Sequence, residues 1–525
     1  MAPRVNLFPA LLPLVLLAGC GGGEDVQGCA ALRKGAPDKA LEHCNRAIGS
    51  RMVWSKEKAQ VRIDRGAILA ERRDWDGAIN DFSRALDSGR LQQGNQVIAL
   101  HGRGTARIQK GDLAAGMADL DQALQLDPLH ADAFANRALA WRMRGEHDRA
   151  IADADAALKV YTKHARALVQ RGASLLLNGE RDMALADLNE ALRLEPGLQA
   201  ARSIRGVLWH VRGEWDRALA DFDEAVRLDP RDAGTLRNRA AVHTAKRDLD
   251  RALADLDAAL KLEPGSVEAL LRRAAIRGER GDLDRTIADA ARVIELNPKA
   301  ADGYNLRGWV HLQRRQFDAA IADFDRALAL NARHLPALTN RLAAWSATKD
   351  YARALADLEA LAQLAPAGAD HRSIGMLRFV LGRYAESADA LGRALQARAG
   401  DHYAALWRYL AQARAGEEPA ARAGLAQATQ SLGGRWPAAV VNLYLGKGSE
   451  AAMLAAANAA NVANDADPKT RANRLCEANF YAGQAKLLRK QEAQALPLLR
   501  AAEKDCPRHL AEYDGAVAEL KRLGG

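Results

Sequence analysis

Five cysteines are the residues of this 525-residue chain best suited to covalent chemistry. Cys20 closes the run Leu17-Ala18-Gly19-Cys20, whereas Cys29, Cys44, Cys476 and Cys506 lie in two widely separated pairs. No Cys-x-x-Cys pair exists, so neither a zinc site nor a thioredoxin-type redox centre has support. The chain has no His-Glu-x-x-His and no Gly-x-Ser-x-Gly, and Gly446-Lys447-Gly448-Ser449 lacks the upstream glycine of a phosphate loop. The twelve histidines show no ligand spacing. A pair of catalytic carboxylates would be hidden among many Asp and Glu, but no stretch is left over for a separate catalytic domain. The expectation is a non-enzyme that uses no metal and no cofactor.

What must position these residues begins with a leader. A mostly apolar stretch covers residues 5–18 behind Arg4, too short to span a bilayer and interrupted by Pro9 and Pro13. It reads as a secretory signal h-region. The four residues that follow it resemble the bacterial lipobox, and that resemblance implies cleavage before Cys20 and acylation of this cysteine. Gly21 follows, not Asp, which by the sorting habit of similar lipoproteins implies the outer membrane, facing the periplasm. Each buried CH₂ of an acyl chain contributes about 0.8 kcal/mol to membrane attachment. An even number of remaining cysteines in an exported chain favours disulfides.

The rest is helical in character. Phe, Trp and Tyr reach only 5%, and alanine, leucine and arginine are abundant, which favours helices over strands. Net charge is +9, from 75 basic and 66 acidic residues mixed throughout, so no basic face for nucleic acid stands out. Six prolines, Pro128, Pro196, Pro230, Pro264, Pro298 and Pro366, are spaced by 34 or 68 residues, a period that marks a helical array. With that proline at position 32, small residues recur at position 8 (Gly66, Gly104, Gly172, Gly206, Gly308), at 20 (Ala78, Ala150, Ala218) and at 27 (Ala85, Ala123, Ala191). They let antiparallel helices approach closely. The pattern resembles the tetratricopeptide repeat, which implies an all-α, right-handed superhelical solenoid of antiparallel helix hairpins.

On that register residues 1–19 are the leader and 20–28 the acylated cysteine with a short tether. A truncated repeat covers 29–58, nine repeats 59–368 and a degenerate repeat 369–400. Divergent hairpins fill 401–475, including an alanine-rich run over 451–463, and a final repeat with a capping helix over 510–523 completes 476–525. A short insertion falls at 90–96. In a hairpin that turns near position 16, residues whose positions sum to about 32 face each other. Cys29 with Cys44 and Cys476 with Cys506 satisfy this, so two disulfides are expected, each contributing about 3–4 kcal/mol through lost loop entropy.

Arginine stands at position 7 and aspartate at position 23 in all nine good repeats, from Arg65 and Asp81 to Arg341 and Asp357. The arginines could form a ladder along a groove; the simpler reading pairs each with the aspartate of its own hairpin. By the same resemblance, partners bind the concave surface of the first helices. There the sequence supplies Asn136, Gln170, Arg237, Asn238, Arg272, Asn305, Trp309 and Asn340. Trp75, Trp141 and Trp215 are expected in the core. The chain as a whole looks like the envelope tetratricopeptide lipoproteins of the NlpI type, which implies a scaffold or adaptor that binds envelope proteins and touches the membrane only through its lipid. A scaffold for outer-membrane secretion or exopolysaccharide export, and a hydrolase or transferase with an unrecognised site, stay open as alternatives.

Overall fold

The computed structural model describes residues 23–33, 35–459 and 468–524. The leader, Cys20 and part of the alanine-rich run lie outside the described residues. Within them every regular element is an α-helix apart from a three-residue 3-10 turn, Pro366–Gly368. It divides into two units, residues 1–269 and 270–525.

Nine hairpins follow one another from Ser55–Glu71 to Tyr351–Leu364. Their second helices bury positions 20, 24 and 27 completely in the first eight, as in Ala78, Phe82 and Ala85 or Ala218, Phe222 and Ala225. Close approach explains the small residue at position 8: a Cβ on Gly104 would meet the carbonyl oxygen of Gly116 at 2.8 Å. First helices of successive repeats also touch one another, so each unit is a continuous stack. In the first unit the stack curves enough that Arg73 pairs with Asp229, 156 residues away, at 2.5 Å. The insertion at 90–96 falls in the loop before Gln93–Lys110 and in that helix's first turn, which makes it 18 residues long where most first helices have 13.

Every one of the nine position-7 arginines makes a bidentate pair with its position-23 aspartate, with Nε and Nη2 donating across 2.6–2.9 Å. The carboxylates are buried. The guanidiniums of Arg65, Arg137, Arg171 and Arg239 are held above their ordinary value by these hydrogen bonds. The remaining Nη1 donates to position 25 of the preceding repeat: Arg137 to Asp121 at 2.6 Å, Arg171 to Asp155 at 2.7 Å, Arg205 to Asn189 at 2.7 Å and Arg239 to Asp223 at 2.8 Å. One side chain therefore closes its own hairpin and fastens it to the previous one.

The sulfurs of Cys29 and Cys44 lie 2.05 Å apart and those of Cys476 and Cys506 1.97 Å, both at disulfide distance. Three expectations are corrected. The helix carrying Cys476 begins at Pro468, so it crosses the boundary read at 475; proline at a first helical position sets the start. Trp75 and Trp141 are only half-buried and Trp215 is 40% exposed, while Trp407 is the fully buried tryptophan. Of these three, Trp141 at position 11 lies under the position-19 Arg149 across the hairpin at 4.9 Å, as Trp209 does under Arg217 at 5.0 Å and Trp345 under Arg353 at 4.7 Å. Lastly, the terminal helix Ala511–Arg522 is no outer cap, because it folds back onto the second unit's own helices.

Position 15, the hairpin turn, has positive φ in every one of the nine repeats; glycine occupies it in some, as at Gly179 (φ 88°), but Arg73, Arg247, Arg315 and Lys349 hold φ of 59–64°. A side chain pays about 1–2 kcal/mol in this region. Arg315→Gly should accordingly raise stability by about 1 kcal/mol, measured by urea unfolding of the otherwise unchanged protein.

Candidate protein-binding groove

The inner surface of each unit is built from the first helices, and most of the polar side chains expected there are already engaged. In the first unit Asn136 donates through Nδ2 to His101 Nε2 at 2.8 Å and to Thr105 Oγ1 at 2.9 Å, both on the preceding repeat. Burial and the neighbouring His130 push the His101 imidazole down to about 3, so its ring is neutral and can accept this bond. Gln170 accepts from Arg142 Nε at 3.2 Å, and Arg237 donates to Glu263 at 2.5 Å. Asn238 is half-buried. In the second unit Asn340 donates to Asn305 at 3.0 Å, Trp309 packs its ring against Gly278, and Arg272 is exposed. Asn136, Gln170, Arg237, Asn305 and Asn340 thus hydrogen-bond within the array.

Three histidines that look scattered in sequence occupy one register position. His130, His164 and His334 each accept, through Nδ1, the backbone N–H three residues on, at 3.1–3.3 Å, and so cap a first helix. His334 Nε2 also meets Asp302 at 3.0 Å. Unpartnered apolar surface lies elsewhere in the first unit. Met143, Leu177 and Val211 are the last residues of three successive first helices, all at position 13, and are 51%, 59% and 47% exposed. Sequence reading passed over this row because each residue, taken alone, resembles an ordinary helix-packing position.

In the second unit the terminal helix occupies the inner face. Glu512 accepts from Tyr481 at 2.8 Å and from Trp407 at 3.3 Å; Asp514 accepts from Tyr351 at 2.8 Å and pairs with Lys349. Glu519 meets Arg522 at 3.0 Å and Arg414 at 3.3 Å. Arg522 donates to the carbonyl oxygens of Phe379 and Val380 at the end of His371–Val380. A cavity of about 830 Å³ remains beside it, lined among others by Arg372, Asp401, Tyr403, Glu477 and Glu512. Glu477 accepts from Trp436 at 2.7 Å and from Tyr403 at 2.9 Å. Among the described residues no group of three or more His, Cys, Asp and Glu could hold a metal ion.

The sequence pattern of the tetratricopeptide repeat family matches residues 26–94, 101–167, 162–233, 238–301 and 276–334, more than half of the chain. The chain belongs to the tetratricopeptide repeat family. Proteins of this family bind protein partners, which makes the array a protein-interaction scaffold. Among solved structures, a tetratricopeptide repeat protein from Parabacteroides merdae is similar at 22% identity, over 47% of this chain and 98% of its own, with a TM-score of 0.35. Pseudomonas aeruginosa pilF is similar at 21% identity over 40% and 96%, with a TM-score of 0.35. A tetratricopeptide repeat protein of Thermus thermophilus is similar at 24% over 35% and 98%, with a TM-score of 0.31. No curated protein sequence matches.

The second unit carries a titratable weak point. Burial, reinforced by Glu512, pushes the Glu477 carboxyl up to about 7, against the lowering effect of its hydrogen bonds to Trp436 and Tyr403. The folded value thus exceeds the ordinary glutamate value of ~4.3. The stability linked to this group is complete below about pH 4 and is lost as pH rises through about 7. Glu477→Gln should flatten this fall and raise the stability of the second unit at pH 8 by about 2 kcal/mol, read from hydrogen exchange in that unit.

Proposed function

We propose that this tetratricopeptide repeat protein is a lipid-anchored scaffold of the bacterial cell envelope, which holds partner proteins on the inner surface of its first unit. The observation that carries the partner site is the apolar row Met143, Leu177 and Val211, exposed on three adjacent repeats. Single exposed apolar residues are ordinary, but a row repeated at one register position offers a continuous strip for an apolar-faced helix or extended segment. The second unit has its own terminal helix in the corresponding place, held by Glu512, Asp514, Glu519 and Arg522. The first unit is therefore the favoured site for a partner.

Support for the anchor comes from the residues. An apolar leader runs into Leu17-Ala18-Gly19-Cys20, and the other four cysteines pair at disulfide distance, as expected outside the reducing cytosol. No helix among the described residues is long and apolar enough to cross a membrane. In this reading the acyl chains concentrate the scaffold, and whatever it holds, at the membrane surface facing the periplasm. Adaptor roles of the NlpI type fit that arrangement.

Two outcomes test the reading. Leu177→Asp should weaken capture of envelope proteins on the immobilised protein about tenfold or more while leaving its helical circular dichroism unchanged. Equal capture by both forms would exclude the row. Cys20→Ala should move the protein from the membrane to the soluble fraction; if the variant still sediments with membranes, the anchor is wrong.

A further inference from the structure

The loop between the second and third helices carries the two most exposed large apolar side chains near the start of the folded part. Trp54 is 77% exposed and Met52 69%, while Val53 between them is buried against Cys29, Cys44, Ala47 and Val61. The chain bends through residues 51–53 and is extended at Trp54, with φ −70° and ψ 152°, and while Val53 is buried both of its neighbours stand in solvent. It is pinned at both ends: Met52 N–H donates to Ser50 Oγ at 3.1 Å and Trp54 N–H to Glu57 Oε2 at 3.2 Å. Folding has therefore fixed an indole and a thioether in water, which is an unfavourable place for either unless something covers them.

What covers them follows from where the loop sits. Gly23–Ala31 and Pro37–Gly49 are antiparallel, and Cys29 and Cys44 lie with Cα atoms 4.8 Å apart. At about 1.5 Å per residue, Gly23 stands about 9 Å from the level of Cys29, and Gly49 about 7.5 Å from the level of Cys44, in the same direction. Ser50 to Trp54 therefore emerge at the level of Gly23. Cys20 precedes Gly23 by three residues, a reach of at most about 11 Å. Any acyl chain on Cys20 brings the bilayer surface to this end of the first hairpin. The exposed side chains around Trp54 include Arg51 and Lys56, with Lys58 half-buried, against Glu24 and Glu57. Tryptophan favours the level of lipid headgroups, and flanking cations match anionic headgroups.

We propose that Met52 and Trp54 insert into the interfacial layer of an anionic bilayer, as a second contact that orients the first hairpin on the membrane. This rests on acylation of Cys20. The lipid would then supply a flexible tether and the loop a fixed footprint, so that the array leaves the surface at a defined angle.

The test uses the full-length acylated protein bound to vesicles of phosphatidylglycerol and phosphatidylethanolamine. A thiol-reactive NBD group is placed, without reduction, at Ser55→Cys beside the loop, or at Met183→Cys, which is 56% exposed at the start of Arg181–Leu194. The fluorescence at 55 should shift to the blue on binding and be quenched by spin-labelled lipid, whereas that at 183 should do neither. Adding Met52→Glu and Trp54→Glu should abolish the shift at 55 while the protein still floats with the vesicles. If the protein floats with the vesicles but the label at 55 behaves like the label at 183, the loop contact is overturned and the anchor stands. If the protein does not float at all, both are overturned.

Discussion

A guanidinium that meets one buried carboxylate with two of its nitrogens has a third nitrogen left, and the rest of this structure depends on where that third bond goes. At Arg137, Arg171, Arg205 and Arg239 it reaches back to Asp121, Asp155, Asn189 and Asp223 of the preceding repeat. The planar fork of arginine suits this task, which a lysine ammonium could not perform, because the bidentate pair fixes the direction of the remaining donor. The aspartates are buried and the arginines keep partial contact with solvent, so each pair avoids the full desolvation cost of a buried ion pair. Apolar burial at positions 20, 24 and 27 supplies the bulk of the stabilisation. The arginine bonds specify which hairpin face meets which, and so keep the register of the stack from slipping.

Fixing the stack in this way leaves the first-helix surface free to vary, and the two units use that freedom differently. In the first, Asn136, Gln170 and Arg237 bond to neighbouring side chains, and the row Met143, Leu177 and Val211 stays open. In the second, acidic side chains of the terminal helix bond to Tyr481, Trp407, Tyr351 and Arg414. Glu512 and Glu519 are nearly inaccessible, yet both are hydrogen-bonded, which is the condition for burying such groups without a large penalty.

The repeat was legible because several chemically unlike positions share one period: a proline at 32, small residues at 8, 20 and 27, and the arginine and aspartate at 7 and 23. The pairing of Arg65 with Asp81 follows from their equal height in the hairpin. What escaped reading depended on contacts that the period does not encode. The backbone at position 15 is left-handed in all nine repeats, but glycine shares it with Arg73, Arg247, Arg315 and Lys349, which conceals the signal. Trp141 resembles a core residue in sequence, although Arg149, eight residues on, covers it from the solvent side. The inward turn of the terminal helix is set by Trp407 and Lys349, more than a hundred residues earlier, so nothing local in Ala511–Arg522 distinguishes a cap from an insert. The groove residues stand out by their chemistry alone, and the amides of Asn136, Gln170, Asn305 and Asn340 are engaged by adjacent repeats.

The role of the arginine in fastening successive repeats is tested most directly by amide hydrogen exchange on Asp187→Leu, which leaves the Arg171 guanidinium without its bidentate partner. Protection should fall by roughly 2–4 kcal/mol in Ala165–Leu177 and Arg181–Leu194, and also in His147–Val160, the helix to which Arg171 is bonded through Asp155. Loss confined to the hairpin that carries the substitution, with His147–Val160 as well protected as before, would contradict the account.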